Sequence, residues 1–236
     1  MKKILLVLFL VLFSFISYAQ IWDYPIKPKT EKWKTLESNQ EKVDVCQIPV
    51  SVLQEISTND LMILCLQYPL LFDVFAFNNI NDGVKKLFSD FNGIREFSER
   101  ENSINCLQKL YLSEIHSFSE ILNKSSNLDI GYSAARISIL EVLLCYSDFH
   151  INISKENQKK ILENLYYGYK EKIKYPEHFQ GRGFATNLFA RAHIIIKIDT
   201  LLSEKFDIGN KSVLFSGMTD ADLIDIIDML SNNLIK

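Results

Sequence analysis

Apolar residues recur at helical spacing along most of the chain. In segment 84–91, for example, apolar side chains stand at relative positions 0, 3, 4 and 7, which share one face of a helix (Val84, Leu87, Phe88 and Phe91). The alternation of polar and apolar residues that predicts strands is nearly absent, apart from a possible short strand at 212–215. The pattern therefore predicts an all-α fold of roughly nine or ten helices.

Cap and stop residues place the predicted helix ends. Ser38 with Glu41 three residues later predicts a capping box, and Ser57 and Ser154 stand before two further helical segments. Pro69 separates one helix from a second apolar helix predicted at 70–77. Other predicted helices include a separate pair at 104–111 and 115–123, a central apolar helix at 130–146, a helix at 184–206, and a last helix capped by 219–222.

Three cysteine-centred triplets indicate a possible repeat. Cys65-Leu66-Gln67 recurs as Cys106-Leu107-Gln108, and Leu144-Cys145-Tyr146 follows, with separations of 41 and 39 residues between the cysteines. A period of about 40 residues with two helices per unit is typical of HEAT-like and armadillo-like arrays. The sequence favours a curved array of antiparallel helix hairpins, and a compact bundle of the same hairpins is the alternative.

The N-terminus has the pattern of an export signal. Lys2 and Lys3 precede ten apolar residues, 4–13, and Ser17 and Ala19 supply small residues before a cut at Gln20. An uncleaved anchor helix is the alternative, but the apolar run is shorter than the ~20 residues that a membrane span needs. We expect a signal peptide at 1–19, a periplasmic or extracellular mature protein, and no membrane span after cleavage.

A proline-rich and aromatic segment follows the signal. Pro25 and Pro28 favour an extended leader over residues 20–36, which also carries Trp22, Tyr24 and Trp33. These aromatic side chains either strap the leader over the body or form a docking strand for a partner. The remainder, 37–236, is expected to be a single all-α domain.

Charge excludes one class of partner. The chain has 26 Lys and Arg against 29 Asp and Glu, and its net charge falls from −3 to −5 when Lys2 and Lys3 leave with the signal. A chain without a basic excess is a poor generic binder of nucleic acid, because it has no surplus charge to neutralise phosphates.

Four cysteines remain in the mature chain. In an oxidising compartment they could form two disulfides. Cys65 and Cys145, however, stand within strongly apolar segments. This setting favours free thiols buried as small hydrophobic side chains.

Three segments resemble a family of uncharacterised secreted proteins of Gram-negative gut-type bacteria. They are Ile21-Trp22-Asp23-Tyr24-Pro25-Ile26-Lys27-Pro28, Cys46-Gln47-Ile48-Pro49, and Cys65-Leu66-Gln67-Tyr68-Pro69-Leu70-Leu71-Phe72-Asp73. The resemblance extends to 182–199 and implies export and an α-helical body. It implies no site residues, because the family has no assigned function.

Motifs for catalysis, metal binding or cofactor binding are not evident. The four histidines include no His-Glu-x-x-His pattern and no pair at i, i+4 spacing. The sequence also lacks a Gly-x-Ser-x-Gly elbow, a P-loop and a dinucleotide fingerprint. We therefore expect no metal and no cofactor.

One helix start is a candidate anion site. Gly181-Arg182-Gly183 opens the helix that carries Asn187, Arg191 and His193, and a helix N-terminus with an arginine attracts carboxylates or phosphates. A plain surface turn is the alternative. In the apolar helix 130–146, Arg136 and Glu141 need charged partners if they are buried, and Arg191 or Asp199 are the partners we expect.

Two functions follow from these patterns. The first is a non-enzymatic helical module that binds an envelope protein or peptide, with the leader aromatics as docking residues. The second is a hydrolase or small-anion-binding protein with a pocket near Arg182, Arg191 and His193. The sequence favours the first.

Overall fold

The computed structural model describes residues 22–78, 80–146, 149, 153–199, 201 and 221–235, with the backbone alone at 182 and 221–223. The described residues form twelve α-helices, a 3-10 helix and no strand. The all-α prediction is confirmed. The predicted signal 1–19, the possible strand 212–215 and the cap at Thr219 and Asp220 lie outside the described residues.

The first half of the chain consists of short helices. They are α1 (Glu31–Lys34), α2 (Asn39–Val45), α3 (Val50–Glu55), α4 (Thr58–Leu66), the 3-10 helix (Leu71–Ala76), α5 (Ile80–Asp90) and α6 (Asn92–Glu99). The leader is not extended throughout, because Thr30 accepts a hydrogen bond from the Trp33 amide and so caps α1. The helix expected at 70–77 is the 3-10 helix, one residue shorter at each end.

The second half consists mainly of long helices. They are α7 (Ser103–Lys124), α8 (Asn127–Cys145), α9 (Lys155–Lys172), α10 (Pro176–Phe179), α11 (Arg182–Ile198) and α12 (Ala221–Ile235). The predicted pair at 104–111 and 115–123 is wrong, since one helix covers both. Buried Leu107, Tyr111, Ile115 and Phe118 follow a single helical stripe, and no Gly or Pro interrupts it.

Four long helices close into a ring. Helix α7 packs against α8, α8 against α11, α11 against α9, and α9 back against α7, while α12 packs on α9 and α11. A closed ring is typical of a compact bundle, whereas successive repeats of a solenoid contact only their neighbours. The predicted HEAT-like curved array is not confirmed.

The core is continuous between the two halves. Helices α4 and α6 pack on α7, and α5 packs on α6, α8 and the 3-10 helix. All four cysteines are buried and free, as the sequence favoured. Burial raises the pKa of the Cys46 thiol to about 11 and that of Cys145 to about 12.

Candidate functional site

One buried carboxylate joins the four helices of the ring. Glu141 of α8 accepts hydrogen bonds from Tyr111 Oη of α7 (2.9 Å), Lys172 Nζ of α9 (2.6 Å), and Thr186 Oγ1 and Asn187 Nδ2 of α11 (2.7 and 2.8 Å). The Glu141 and Lys172 side chains have no solvent exposure. Both carboxylate oxygens are therefore used in holding helices together.

Burial sets the electrostatics of this cluster. It lowers the pKa of Lys172, and the Glu141 carboxylate opposes that effect. It also raises the pKa of Tyr111 well above its usual value, and Glu141 adds to that rise. A buried ion pair is tolerated when hydrogen bonds satisfy its remaining atoms. Lys172 Nζ meets this condition through a further bond to the Gly183 carbonyl at 2.8 Å.

Arg191 extends the cluster to the C-terminal helix. Its Nε donates to Asn187 Oδ1 at 2.9 Å, and its Nη1 lies 2.5 Å from Asp228 Oδ1 on α12. The guanidinium carbon stands 4.4 Å from the centre of the Tyr169 ring and 5.5 Å from that of Tyr166. The side chain is fully buried, and its Nη2 has no hydrogen-bond partner among the described residues.

The structure brings together three of the six residues predicted to bind a ligand. Glu141, Asn187 and Arg191 belong to the buried cluster, whereas Arg136 pairs with Glu114 of α7 at 2.5 Å. Glu141 therefore reaches the expected Arg191 only through Asn187, and the direct ion-pair partners are Lys172 for Glu141 and Glu114 for Arg136. Neither partner could be read from the sequence, because Glu114 and Lys172 lie on other helices.

His193 does not join Arg191 in a common site. The two residues are two positions apart on α11, so they face different directions. The His193 ring packs on Phe189 with centroids 3.9 Å apart, its Nδ1 lies 3.1 Å from the Phe189 carbonyl oxygen, and burial lowers its pKa. The Arg182 side chain lies outside the described part of the chain.

The leader aromatics have different surroundings. Tyr24 is only 3% exposed, and its hydroxyl donates to the Leu64 carbonyl at 2.9 Å. It is an anchor within the core and does not present a docking surface. Trp33 and Trp22 are half-buried, and Trp22 meets the Tyr24 ring edge-on. Trp22 also borders a shallow surface cavity of about 630 Å³, together with Asp23, Lys27, Pro28, Ile63, Gln67 and Pro69.

A second surface cavity was missed by sequence reasoning. It lies between α2, the 3-10 helix and α5, and we name it the α2–α5 groove; its volume is about 430 Å³. Buried Tyr68, Val74 and Leu87 contribute its apolar lining, and Phe77 at its edge is 41% exposed. The apolar segment 70–77 was the available sequence signal, but the sequence did not show that its last residue, Phe77, is exposed.

The groove carries an uneven distribution of charge. Lys86 and Asp90 neutralise each other through an ion pair of 2.7 Å. Asp73 makes no ion pair with any described residue. Burial raises the pKa of the Asp73 carboxyl, and Lys42 opposes that effect. The groove is therefore an apolar trough with one acidic side chain available for a cation.

Metal-binding clusters and membrane-spanning helices are both absent from the described residues. No group of three or more His, Cys, Asp or Glu side chains is placed to hold a metal ion. Among the described helices, none is both long and apolar enough to cross a bilayer.

Comparison with known proteins also identified no relative. The chain matches no protein-family model, and neither curated proteins nor solved structures show significant similarity to it. The resemblance to secreted α-helical proteins of gut-type bacteria therefore stays a prediction.

Proposed function

We propose that this chain is an exported, non-enzymatic helical module that binds a protein or peptide partner of the cell envelope in the α2–α5 groove. The observation that carries the proposal is the combination of an apolar trough, an exposed aromatic edge and one acidic side chain, Asp73, that forms no ion pair with the residues described. Export rests on the signal pattern of residues 1–19.

The dimensions of the groove support a short peptide as its occupant. A volume of about 430 Å³ is within the usual range for sites that bind small ligands or a few side chains. Apolar contacts to Val74 and Leu87 supply the burial that drives association. Phe77 is an exposed aromatic side chain in the groove lining, and aromatic side chains contribute much of the binding energy at interfaces.

Charge complementarity narrows the chemistry of the peptide. Asp73 favours a Lys or Arg on the partner, next to an apolar side chain that fills the trough. The net charge of −5 expected for the mature chain acts in the same direction, because it attracts basic partners at a distance. We therefore expect peptides that combine an apolar anchor with an adjacent basic residue.

The interior supports a binding role in another way. Two buried side chains of the kinds that supply acid–base chemistry, Glu141 and Lys172, are bonded to each other and have no exposure. They hold together the ring helices, and α5 of the groove packs on one of these, α8.

A peptide selection tests the proposal. Mature protein, residues 20–236, is used to select from a phage library of random decapeptides, and the enriched peptides are measured by fluorescence polarisation. We expect a shared apolar-plus-basic pattern and at least a tenfold weaker affinity for the Phe77→Asp and Asp73→Lys variants. Leu128→Asp is the matched control, because Leu128 is 63% exposed and lies outside the groove. Equal binding to all variants would refute the proposal.

A further inference from the structure

The C-terminal helix α12 lies over a surface formed by α9 and α11. Its apolar residues Ile227 and Leu230 are buried there, and Met229 on its other side is 42% exposed. We name the surface beneath it the α9–α11 groove, defined by Tyr166 and Tyr169 of α9 and Arg191 of α11. An amphipathic helix lying in an apolar groove is a recurring mode of peptide recognition.

Arg191 is the polar centre of this groove, and α12 satisfies it incompletely. A guanidinium presents parallel N–H groups that match both oxygens of a carboxylate. Asp228 engages Nη1 through Oδ1, and Ser231 Oγ lies 3.5 Å from the same nitrogen. Nη2 is buried, and no residue in the described part of the chain bonds to it. The helix that occupies the groove therefore leaves one strong donor unused.

We propose that the α9–α11 groove is a docking site for an amphipathic helix of a partner protein that carries a glutamate, and that α12 is the resident helix which the partner displaces. Glutamate is one methylene longer than aspartate, and in this proposal the extra length brings its second oxygen to Nη2 from the helix position of Asp228. This site is separate from the α2–α5 groove and does not depend on its function.

The contacts of α12 indicate where its replacement by a partner helix would begin. Its ion pair is accessible to solvent on one side, because the Asp228 side chain is 23% exposed whereas Arg191 is fully buried. Since α12 is tethered to its own groove, it competes at a high effective concentration. A partner helix must therefore offset this local concentration, and a two-point contact to Arg191 contributes to that, together with the rest of its apolar face.

The test uses the full mature chain with its own helix prevented from docking. In the Ile227→Asp/Leu230→Asp variant, two buried positions of α12 become charged. Met229→Asp is the matched control on the exposed side of the same helix. The probe is a fluorescein-labelled peptide of residues 221–235, made with Asp, Glu or Asn at position 228.

We expect the Ile227→Asp/Leu230→Asp chain to bind the Asp peptide, to bind the Glu peptide at least threefold more tightly, and to bind the Asn peptide at least tenfold more weakly. The wild-type and Met229→Asp chains should bind all three peptides at least tenfold more weakly, because their own α12 fills the groove. Light scattering should show a monomeric wild-type chain.

Three results would each overturn the proposal. Equal binding of the Asn, Asp and Glu peptides would show that Arg191 does not recognise the side chain at position 228. Loss of cooperative unfolding in the Ile227→Asp/Leu230→Asp chain would make α12 an integral part of the core. A dimer of the wild-type chain that exchanges α12 would identify a second copy as the occupant.

Discussion

The Glu141 carboxylate shows how a single buried charge constrains its neighbours. It lies between four helices and accepts bonds from Tyr111, Lys172, Thr186 and Asn187. An ionised carboxylate in a protein interior is costly unless it is paired and hydrogen-bonded. Each of these four side chains therefore has a specific role in the relative placement of the ring helices.

Removing the positive partner should destabilise the protein strongly. Lys172→Met leaves Glu141 buried without its counter-charge, and we expect a loss of about 3–5 kcal/mol in the free energy of unfolding. Urea unfolding followed by circular dichroism measures this loss. Lys174→Met is the control, because its pair with Glu171 is exposed and should leave the unfolding midpoint unchanged. A Lys172→Met variant as stable as wild type would contradict a structural role for the pair.

At the level of helices, close backbone approach shapes the α2–α5 groove. Gly83 of α5 faces Val74 of the 3-10 helix, and a Cβ atom at position 83 would overlap the Val74 carbonyl and stand 2.7 Å from its Cα. Both residues line the groove. The glycine therefore sets how near the two helices approach and how wide the groove is.

Adding one methyl group at this contact should separate the helices. We expect Gly83→Ala to lower the free energy of unfolding by about 1–3 kcal/mol, because backbone atoms must move, and to weaken peptide binding in the groove. Gly131→Ala on α8 is the matched control, since a Cβ there meets no atom within 4 Å. It should raise stability by roughly 0.5–1 kcal/mol. Thermal unfolding of both variants measures these changes in stability. Equal changes in Gly83→Ala and Gly131→Ala would contradict the close contact between Gly83 and Val74.

Local signals in the sequence predicted helix starts well. Ser38 with Glu41 forms the expected capping box, and Ser57 and Ser154 cap α4 and α9. Side-chain partners were harder to predict, because Glu141 meets Lys172 across 31 positions and Arg136 meets Glu114 on a neighbouring helix. The α2–α5 groove was also missed, since it forms only when α2, the 3-10 helix and α5 are brought together in space.

On the scale of the whole molecule, the core joins a closed ring of four long helices to the shorter helices of the first half. Cysteines and tyrosines are distributed through this core, and burial raises the pKa of Cys46, Cys65 and Cys145. Folding therefore favours the protonated form of these three thiols.

Alkaline pH should destabilise the fold through these thiols. An unfolded thiol ionises near pH 9.0, whereas folded Cys46 and Cys145 keep their protons until about 11 and 12. The unfolded state binds fewer protons in this window, so their contribution to stability is complete below pH 9 and is lost as the pH rises. We expect a lower urea midpoint at pH 9.5 than at pH 8, and a smaller difference in Cys145→Ala. A wild-type urea midpoint that is the same at pH 8 and pH 9.5 would contradict the burial of these thiols.

Export should remove the first 19 residues. When the full chain is expressed in a Gram-negative host, mass spectrometry of the periplasmic or secreted fraction should find a protein that begins at Gln20. Leu8→Arg should block export, because it breaks the apolar run. A membrane-bound chain that retains Met1 would instead support the uncleaved anchor.

The central claim is that Asp73 and the α2–α5 groove recognise a basic, apolar peptide, and a charge exchange tests it most directly. Calorimetric titration would measure one selected peptide and its Lys→Glu form against wild type and Asp73→Lys. We predict at least a tenfold loss when one charge is reversed and recovery of most of that loss when both are reversed. Equal affinities in all four combinations would contradict the claim.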